Sequence, residues 1–212
     1  MNISLVHIVD DDEDMCIAMA RLLRAEGYEV RTYKSAGDFL LAPPEDGPGC
    51  VVLDLQMPGP SGLELQQALQ RHPTALPIVF VTGRGDIASS VRAMKAGAVD
   101  FLTKPVEPEA LLKAVDAALT RNRSERARRD QANAAEARYA RLTDRERSVF
   151  DQVVAGKLNK QIGDTLRISE RTVKMHRAHV MAKMQAGSIA ELVHTAELLP
   201  NVGAPPLSTR GD

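Results

Sequence analysis

Short runs of β-branched and aliphatic residues alternate with helical hydrophobic patterns along the first 120 residues of the chain. Several of these runs are almost continuously apolar, which is typical of parallel strands that are buried on both faces. The predicted strands are 4–9, 29–32, 50–53, 77–81 and 99–102, and the predicted helices are 13–26, 36–41, 61–70, 86–96 and 107–120. Five βα units in succession predict an α/β fold with a doubly wound, five-stranded parallel sheet.

The hydrophobic pattern changes near residue 120. Residues 120–141 contain seven arginines and none of Leu, Ile, Val or Phe, and neither Pro nor Gly interrupts them. Ala and Arg favour helices, so we interpret 121–141 as a solvated helical linker, with a flexible linker as the alternative. Residues 142–199 have helical patterns and predict an all-α domain, whereas 200–212 are rich in Pro and Gly and predict a disordered tail. The first domain is expected to cover residues 1–120.

The net charge of −1 conceals an asymmetry between these two parts of the chain. Residues 1–120 carry a net charge of −7 and residues 121–212 a net charge of +6, so the second part is the candidate for nucleic-acid binding. The chain begins without a secretory leader pattern, and no apolar run has the length of a membrane helix. Cys16 and Cys50 have neither metal-site nor disulfide spacing. We therefore expect a cytoplasmic protein that does not bind a membrane.

Polar residues follow the predicted strands at their carboxyl ends, where ligands bind in open parallel sheets. These residues are Asp10 and Asp11 after the first strand, Asp54 after the third, Thr82 after the fourth and Lys104 after the fifth. Three neighbouring carboxylates need a proton or a cation, and an all-oxygen site favours Mg²⁺. A lysine beside such a cation indicates an anion such as phosphate, which Asp54 could attack as a nucleophile. The alternative for residues 10–14 is an acidic cluster that stabilises a helix N-terminus.

The residues in this order resemble the receiver domain of two-component response regulators, which has a flavodoxin-like fold. The matching segments are 9–13, 52–62, 81–83 and 96–105. The resemblance implies that a sensor histidine kinase phosphorylates Asp54, and that Asp11, Asp54 and the main-chain carbonyl of Gln56 bind Mg²⁺ while Asp10 acts through a metal-bound water. It also implies that Lys104 pairs with a phosphoryl oxygen. Thr82 and Phe101 would form the switch pair, with a turn-capping Thr82 and a core Phe101 as the alternatives.

Two helical segments near the C-terminus, separated by a tight turn, form a helix-turn-helix candidate. They are 159–166 and 170–184, and Ser169 is a suitable N-cap for the second. At 100° per residue, Val173, Val180 and Met184 fall on one face, which predicts the core face. The residues on the opposite arc, expected to read bases, are Arg171, Lys174, Met175, Ala178 and His179, and those placed to reach phosphates are Lys160, Thr172, Arg177 and Lys183. The alternative is a solvated basic face.

Segments 142–146, 156–162 and 168–177 resemble the LuxR-type helix-turn-helix, so the whole chain is similar to FixJ/NarL-type transcriptional regulators. The resemblance implies a non-enzymatic response regulator that forms a homodimer on phosphorylation and binds double-stranded DNA, with RNA polymerase as a further partner. The final helix, 188–199, would contact the second copy on DNA. One alternative is a constitutive DNA-binding protein whose first domain is only a scaffold. Another is an acyl- or phosphoaspartate hydrolase.

Overall fold

The structure is a computed structural model that describes residues 4–42, 47–71, 76–83 and 87–200. Residues 201–212 of the predicted tail lie outside this range. The chain forms two compact units, Met1–Glu125 and Arg126–Asp212. None of the helices in the described ranges combines the length and hydrophobicity that a membrane-spanning segment requires.

The first unit is a five-stranded parallel sheet with helices on both faces, as the sequence predicted. The strands are β1 (Leu5–Val9), β2 (Glu29–Tyr33), β3 (Gly49–Asp54), β4 (Ile78–Thr82) and β5 (Asp100–Thr103), in the order β2-β1-β3-β4-β5. The helices are α1 (Glu13–Ala25), α2 (Ala36–Leu41), α3 (Gly62–Gln70), α4 (Ile87–Lys95) and α5 (Pro108–Ala140). β2 lies on one side of β1, whereas β3, β4 and β5 follow on the other side. The topological switch point is therefore between β1 and β3, and ligands bind at such a point in open parallel sheets.

Alternate side chains of the strands supply two separate cores, one on each face of the sheet. Val6, Ile8 and Val52 pack with residues of α1 and α5 on one face. Leu53 and Phe80 pack with residues of α2, α3 and α4 on the other. Burial on both faces explains why the central strands are apolar at almost every position.

The second unit is helical and contains residues 126–140 of α5 together with four further helices. These are α6 (Asp144–Val154), α7 (Asn159–Leu166), α8 (Glu170–Met184) and α9 (Ile189–Glu197). Their apolar faces form one core that includes Phe150, Ile162 and Leu192. Thr143 and Glu146 begin α6 with a reciprocal capping box, which satisfies backbone N–H groups that a helix start leaves unpaired.

The expectation that 121–141 is helical agrees with α5, but the expectation that it is solvated throughout is wrong. Ala135 is buried, and the Tyr139 ring packs edge-on against Phe150 at a centroid distance of 5.3 Å. Asn122 is also buried, and its Oδ1 accepts a hydrogen bond from the Gly49 N–H at 3.1 Å. The absence of large aliphatic residues concealed these contacts, because a small Ala and single polar or aromatic side chains make them.

Candidate phosphoryl and nucleic-acid sites

The parallel register of the strands places the candidate acidic residues side by side. Val9 of β1 pairs with Leu53 of β3, so Asp10 and Asp54, which come next along each strand, lie together at the carboxyl edge. Thr82 ends β4 and pairs with Thr103 of β5, which Lys104 follows. Lys104 is joined to Pro105 by a cis peptide bond.

The lysine links the two buried carboxylates directly. Lys104 Nζ lies 2.7 Å from Asp10 Oδ2 and 3.0 Å from Asp54 Oδ2. Asp10 is 1% exposed and Asp54 is 6% exposed, whereas Asp11 is open to solvent. Asp10, Asp11 and Asp54 can each place one carboxylate oxygen within 4.8 Å of the others. The geometry therefore gathers three carboxylates and one ammonium at a single point on the sheet edge.

Backbone groups fix the orientation of both buried carboxylates. The Asp12 N–H donates to Asp10 Oδ1 at 2.9 Å, and the Gln56 N–H donates to Asp54 Oδ1 at 3.1 Å. The start of α3 also approaches Asp54 closely, because a Cβ added to Gly62 would lie 2.3 Å from the Asp54 carbonyl oxygen. Glycine at position 62 is thus required for the helix to pack beneath the site.

Electrostatics make this cluster suitable for a divalent cation. Burial raises the pKa of Asp10, although the Lys104 ammonium and the Asp12 N–H oppose the increase. Burial also lowers the pKa of Lys104, but its hydrogen bonds to Asp10 and Asp54 outweigh this effect and leave the pKa raised. Three carboxyl groups lie beside one ammonium, and this oxygen-only ligand set matches the preference of Mg²⁺.

Thr82 and Phe101, the predicted switch residues, lie on neighbouring strands. Thr82 is fully buried at the end of β4, and its carbonyl oxygen accepts a hydrogen bond from the Lys104 N–H at 2.8 Å. Phe101 is partly buried on β5, where its ring centroid lies 6.3 Å from that of Phe80. Thr82 and Phe101 therefore belong to adjacent strands, and Phe101 packs at the margin of the core.

In the second unit, α7 and α8 are joined by the tight turn that the sequence predicted. Arg167 adopts a left-handed conformation with φ 53°, and the Ser169 side chain accepts a hydrogen bond from the Thr172 N–H. Gly163 allows the turn to approach α7, because a Cβ there would lie 2.8 Å from the Ile168 carbonyl oxygen. The two helices are thus held in a compact helix-turn-helix arrangement.

The two faces of α8 divide as the helical periodicity predicted. Val173, Val180 and Met184 are buried in the core of the unit. The residues expected to read bases are all exposed: Arg171, Lys174, Met175, Ala178 and His179. This combination of cationic, small and apolar side chains on one exposed arc suits a helix that enters a major groove.

The four residues expected to contact phosphates have different environments. Lys160 is exposed and Thr172 is partly exposed. Arg177 donates a hydrogen bond to Asn159 Oδ1 at 2.7 Å, and Lys183 Nζ lies 2.6 Å from Glu146 Oε2. These internal partners would compete with a phosphate for Arg177 and Lys183, so the structure favours Lys160 over Lys183 as a phosphate contact.

Comparison with known proteins supports the assignment of both units. Residues 6–116 match the family model for the response regulator receiver domain, and residues 140–196 match that for bacterial regulatory proteins of the luxR family. Nodulation protein W of Bradyrhizobium diazoefficiens is 44% identical over 92% of this chain and 86% of its own length. Transcriptional regulatory protein FixJ of Rhizobium meliloti is 44% identical over 90% of this chain and 94% of its own length.

The chain belongs to the two-component response regulators. The chain is similar to the low-resolution structure of the response regulator StyR, and the match covers 92% of this chain and 98% of the StyR chain, with 44% identity and a TM-score of 0.81. This response regulator therefore combines a receiver domain with a LuxR-type DNA-binding domain, and the predictions of family and fold are confirmed. The roles of individual residues and the domain boundaries stay predictions.

Glu146, which was not predicted from the sequence, links the start of α6 to α8 in the DNA-binding domain of this response regulator. Glu146 is 4% exposed and accepts hydrogen bonds from the Thr143 N–H at 2.8 Å and from Lys183 at 2.6 Å. His179 Nδ1 lies 3.8 Å from its other oxygen. The spacing of Thr143 and Glu146 is the capping-box pattern, which would have identified the cap but not the link to α8.

Proposed function

We propose that Asp54 accepts a phosphoryl group from a sensor histidine kinase, and that this modification controls DNA binding by the second domain. The observation that carries the proposal is the placement of Lys104 between Asp10 and Asp54, at 2.7 Å and 3.0 Å. A partly buried ammonium that already contacts the acceptor carboxylate is well placed to pair with an oxygen of the transferred group. Attack by an Asp54 oxygen forms the new bond to phosphorus as the bond to the donor breaks.

Each residue of the cluster has a distinct role in this proposal. The Gln56 N–H holds one Asp54 oxygen, so the carboxylate presents a fixed orientation to the donor. Asp11 and Asp54 would hold Mg²⁺ with the Gln56 carbonyl, and Asp10 would reach it through water. When bound, the ion would neutralise negative charge on the transferring group. Thr82 would donate its hydroxyl hydrogen bond to the new phosphoryl oxygens, and Phe101 would fill the space that Thr82 leaves.

The output that we propose is a shift in population towards a form that dimerises and binds paired half-sites on double-stranded DNA. Phosphorylation can shift this equilibrium only if the phosphoryl group interacts more favourably with the active arrangement. The exposed arc of α8 would read bases, while Lys160 would contact the DNA backbone. RNA polymerase would be the further partner through which a bound dimer affects transcription, and the cytoplasm is the compartment that contains all of these partners.

A small phosphodonor tests the proposal. Intact mass spectrometry of the full chain, incubated with acetyl phosphate and Mg²⁺, should show one added phosphoryl group, which Asp54→Asn should abolish. Asp38→Asn is the matched control, because Asp38 is an exposed carboxylate on α2. Phosphate uptake by the Asp54 variant would contradict the assignment of the acceptor.

The two alternative functions give different results in the same samples. A constitutive DNA-binding protein would bind its DNA equally well with and without the phosphodonor. A hydrolase would turn over the phosphodonor continuously beyond one equivalent of protein, at a rate greater than the loss of its own phosphoryl group.

A further inference from the structure

Helix α4 of the receiver domain is held by little apolar packing. Its buried side chains are the small residues Ser89 and Ala93. Ile87, Val91 and Met94 are 83%, 44% and 45% exposed. A helix that buries so little apolar surface gains little stability from the hydrophobic effect, so other contacts must fix its position.

Hydrogen bonds from α3 and α5 hold the C-terminal end of α4 instead. Gln66 Nε2 donates to the Ala93 carbonyl at 3.2 Å and to the Ala96 carbonyl at 3.1 Å. Gln70 Nε2 also donates to the Ala96 carbonyl, and Arg121 Nη1 donates to the Gly97 carbonyl at 3.0 Å. Gln66, Gln70 and Arg121 also line a cavity of about 390 Å³ beside this attachment.

Gln66 is a poor choice of residue if stability alone is considered. It is 2% exposed, and its Oε1 accepts no hydrogen bond from any residue in the described ranges. An unpaired buried oxygen is unfavourable, and a methionine of similar shape would avoid it. The two carbonyls would keep other donors, because the Ala98 N–H donates to Ala93 and Gln70 donates to Ala96.

We propose that Gln66 is a positioning residue that holds α4 in the phosphoryl-free arrangement and so limits activation before phosphorylation. The proposal rests on the proposed function of Asp54. Helix α4 connects β4, which ends at Thr82, with β5, which carries Phe101. A movement of the switch residues would therefore act on α4 through these connections, and the Gln66 hydrogen bonds would resist the displacement of the helix.

The test compares Gln66→Met with Gln67→Met in the full chain. Gln67 is the exposed neighbour on α3, so its variant makes the same chemical change without removing the attachment. Two hydrogen bonds of ordinary strength correspond to about a tenfold change in an equilibrium constant. Hydrogen exchange at the α4 amides should therefore be about tenfold faster in Gln66→Met than in the control. Thermal unfolding of the two variants should be similar.

The second measurement is dimerisation by analytical ultracentrifugation, with and without beryllofluoride as the phosphoryl mimic. Without the mimic, the dimerisation constant of Gln66→Met should be about tenfold greater than that of Gln67→Met. Addition of the mimic should increase the dimerisation constant of Gln66→Met less than that of Gln67→Met. A solely structural role would lower the unfolding temperature without this shift. If the Gln66→Met protein does not fold, Gln66→Leu is the second variant for the same measurements.

The outcomes separate this proposal from the one on which it rests. Equal α4 exchange in the two variants, or faster exchange with unchanged dimerisation in the absence of mimic, would overturn the role of Gln66. If beryllofluoride fails to dimerise even the unaltered protein, the proposed function of Asp54 fails. Faster α4 exchange and stronger mimic-free dimerisation in Gln66→Met would still support the positioning role in that case.

Discussion

Replacing Glu146 by Gln should destabilise the DNA-binding domain through one identifiable interaction. The hydrogen bond from Lys183 is the main cause that lowers the pKa of Glu146 from 4.5 to about 2. Each pKa unit corresponds to about 1.4 kcal/mol, so the ionised carboxylate would contribute up to about 3 kcal/mol at neutral pH. Because Lys183 is 34% exposed and water partly replaces its interaction, we expect a loss of about 2 kcal/mol in Glu146→Gln.

The stabilisation by the interaction between Glu146 and Lys183 should depend on pH. A carboxyl group whose folded pKa is depressed contributes its full stabilisation above the unfolded pKa, and the contribution is lost as pH falls through the folded pKa. The free energy of unfolding should therefore decrease between about pH 4.5 and about pH 2 more steeply in the unaltered protein than in Glu146→Gln. At pH values well above 4.5, the difference between the two proteins should be constant.

Local hydrogen exchange provides the assay, because it reports the free energy of opening at α8 separately from the receiver domain. Glu146→Gln, Lys183→Met and the double variant form a thermodynamic cycle, and their coupling should be about 1–2 kcal/mol. Glu191→Gln, in which the altered carboxylate caps α9, is the control that leaves Lys183 paired. A coupling near zero, or parallel pH profiles between pH 2 and 4.5, would refute this account of Glu146.

Three further predictions concern the two candidate sites. Gly62→Ala should lower the free energy of unfolding by about 2–4 kcal/mol in chemical denaturation, because the added Cβ would overlap the Asp54 carbonyl oxygen. The control Gly37→Ala, whose Cβ would have its nearest contact at 3.6 Å, should lower it by less than about 1 kcal/mol, and equal losses in the two variants would contradict the close approach at Gly62. Lys104→Met should bind Mg²⁺ more tightly in calorimetry, because the variant lacks the ammonium that competes with the cation, and it should lose phosphoryl-dependent dimerisation. Weaker Mg²⁺ binding would contradict the competition between the ammonium and the cation. Lys160→Ala should reduce the slope of log binding constant against log salt by about 1 on any DNA, and an unchanged slope would exclude a phosphate contact.

The sheet and the acidic cluster could be predicted because both follow from short, strongly patterned segments. Strand β3 is buried at every position, so the change from apolar residues to Asp54 marks its carboxyl end in the sequence. Parallel pairing then carries Asp10 and Asp54 to the same edge without further information. The pairing register of the strands thus brings residues that are far apart in the sequence together at one site.

Contacts that depend on single polar side chains far apart in sequence could not be predicted. Gln66 hydrogen-bonds to residues about thirty positions away, and Asn122 hydrogen-bonds to Gly49. Neither produces a periodic signal, because each is one polar residue within a helical pattern that tolerates it. Lys183 was expected to face DNA for the same reason, since a helical wheel does not show that Glu146 lies beside it.

The buried polar residues of the receiver domain indicate where its sequence departs from the most stable solution. Those in the described ranges are His7, Asp10, Asp54, Gln66, Thr82, Ser89 and Asn122. Asn122 Oδ1 accepts a hydrogen bond from the Gly49 N–H, so the burial of Asn122 is compatible with stability alone. Asp10 and Asp54 share a single lysine, and Gln66 keeps an unpaired oxygen, so none of these three is optimal for folding. Because burial of incompletely compensated polar groups is unfavourable, their concentration at the acidic cluster and beneath α4 fits the switching role that we propose for this domain.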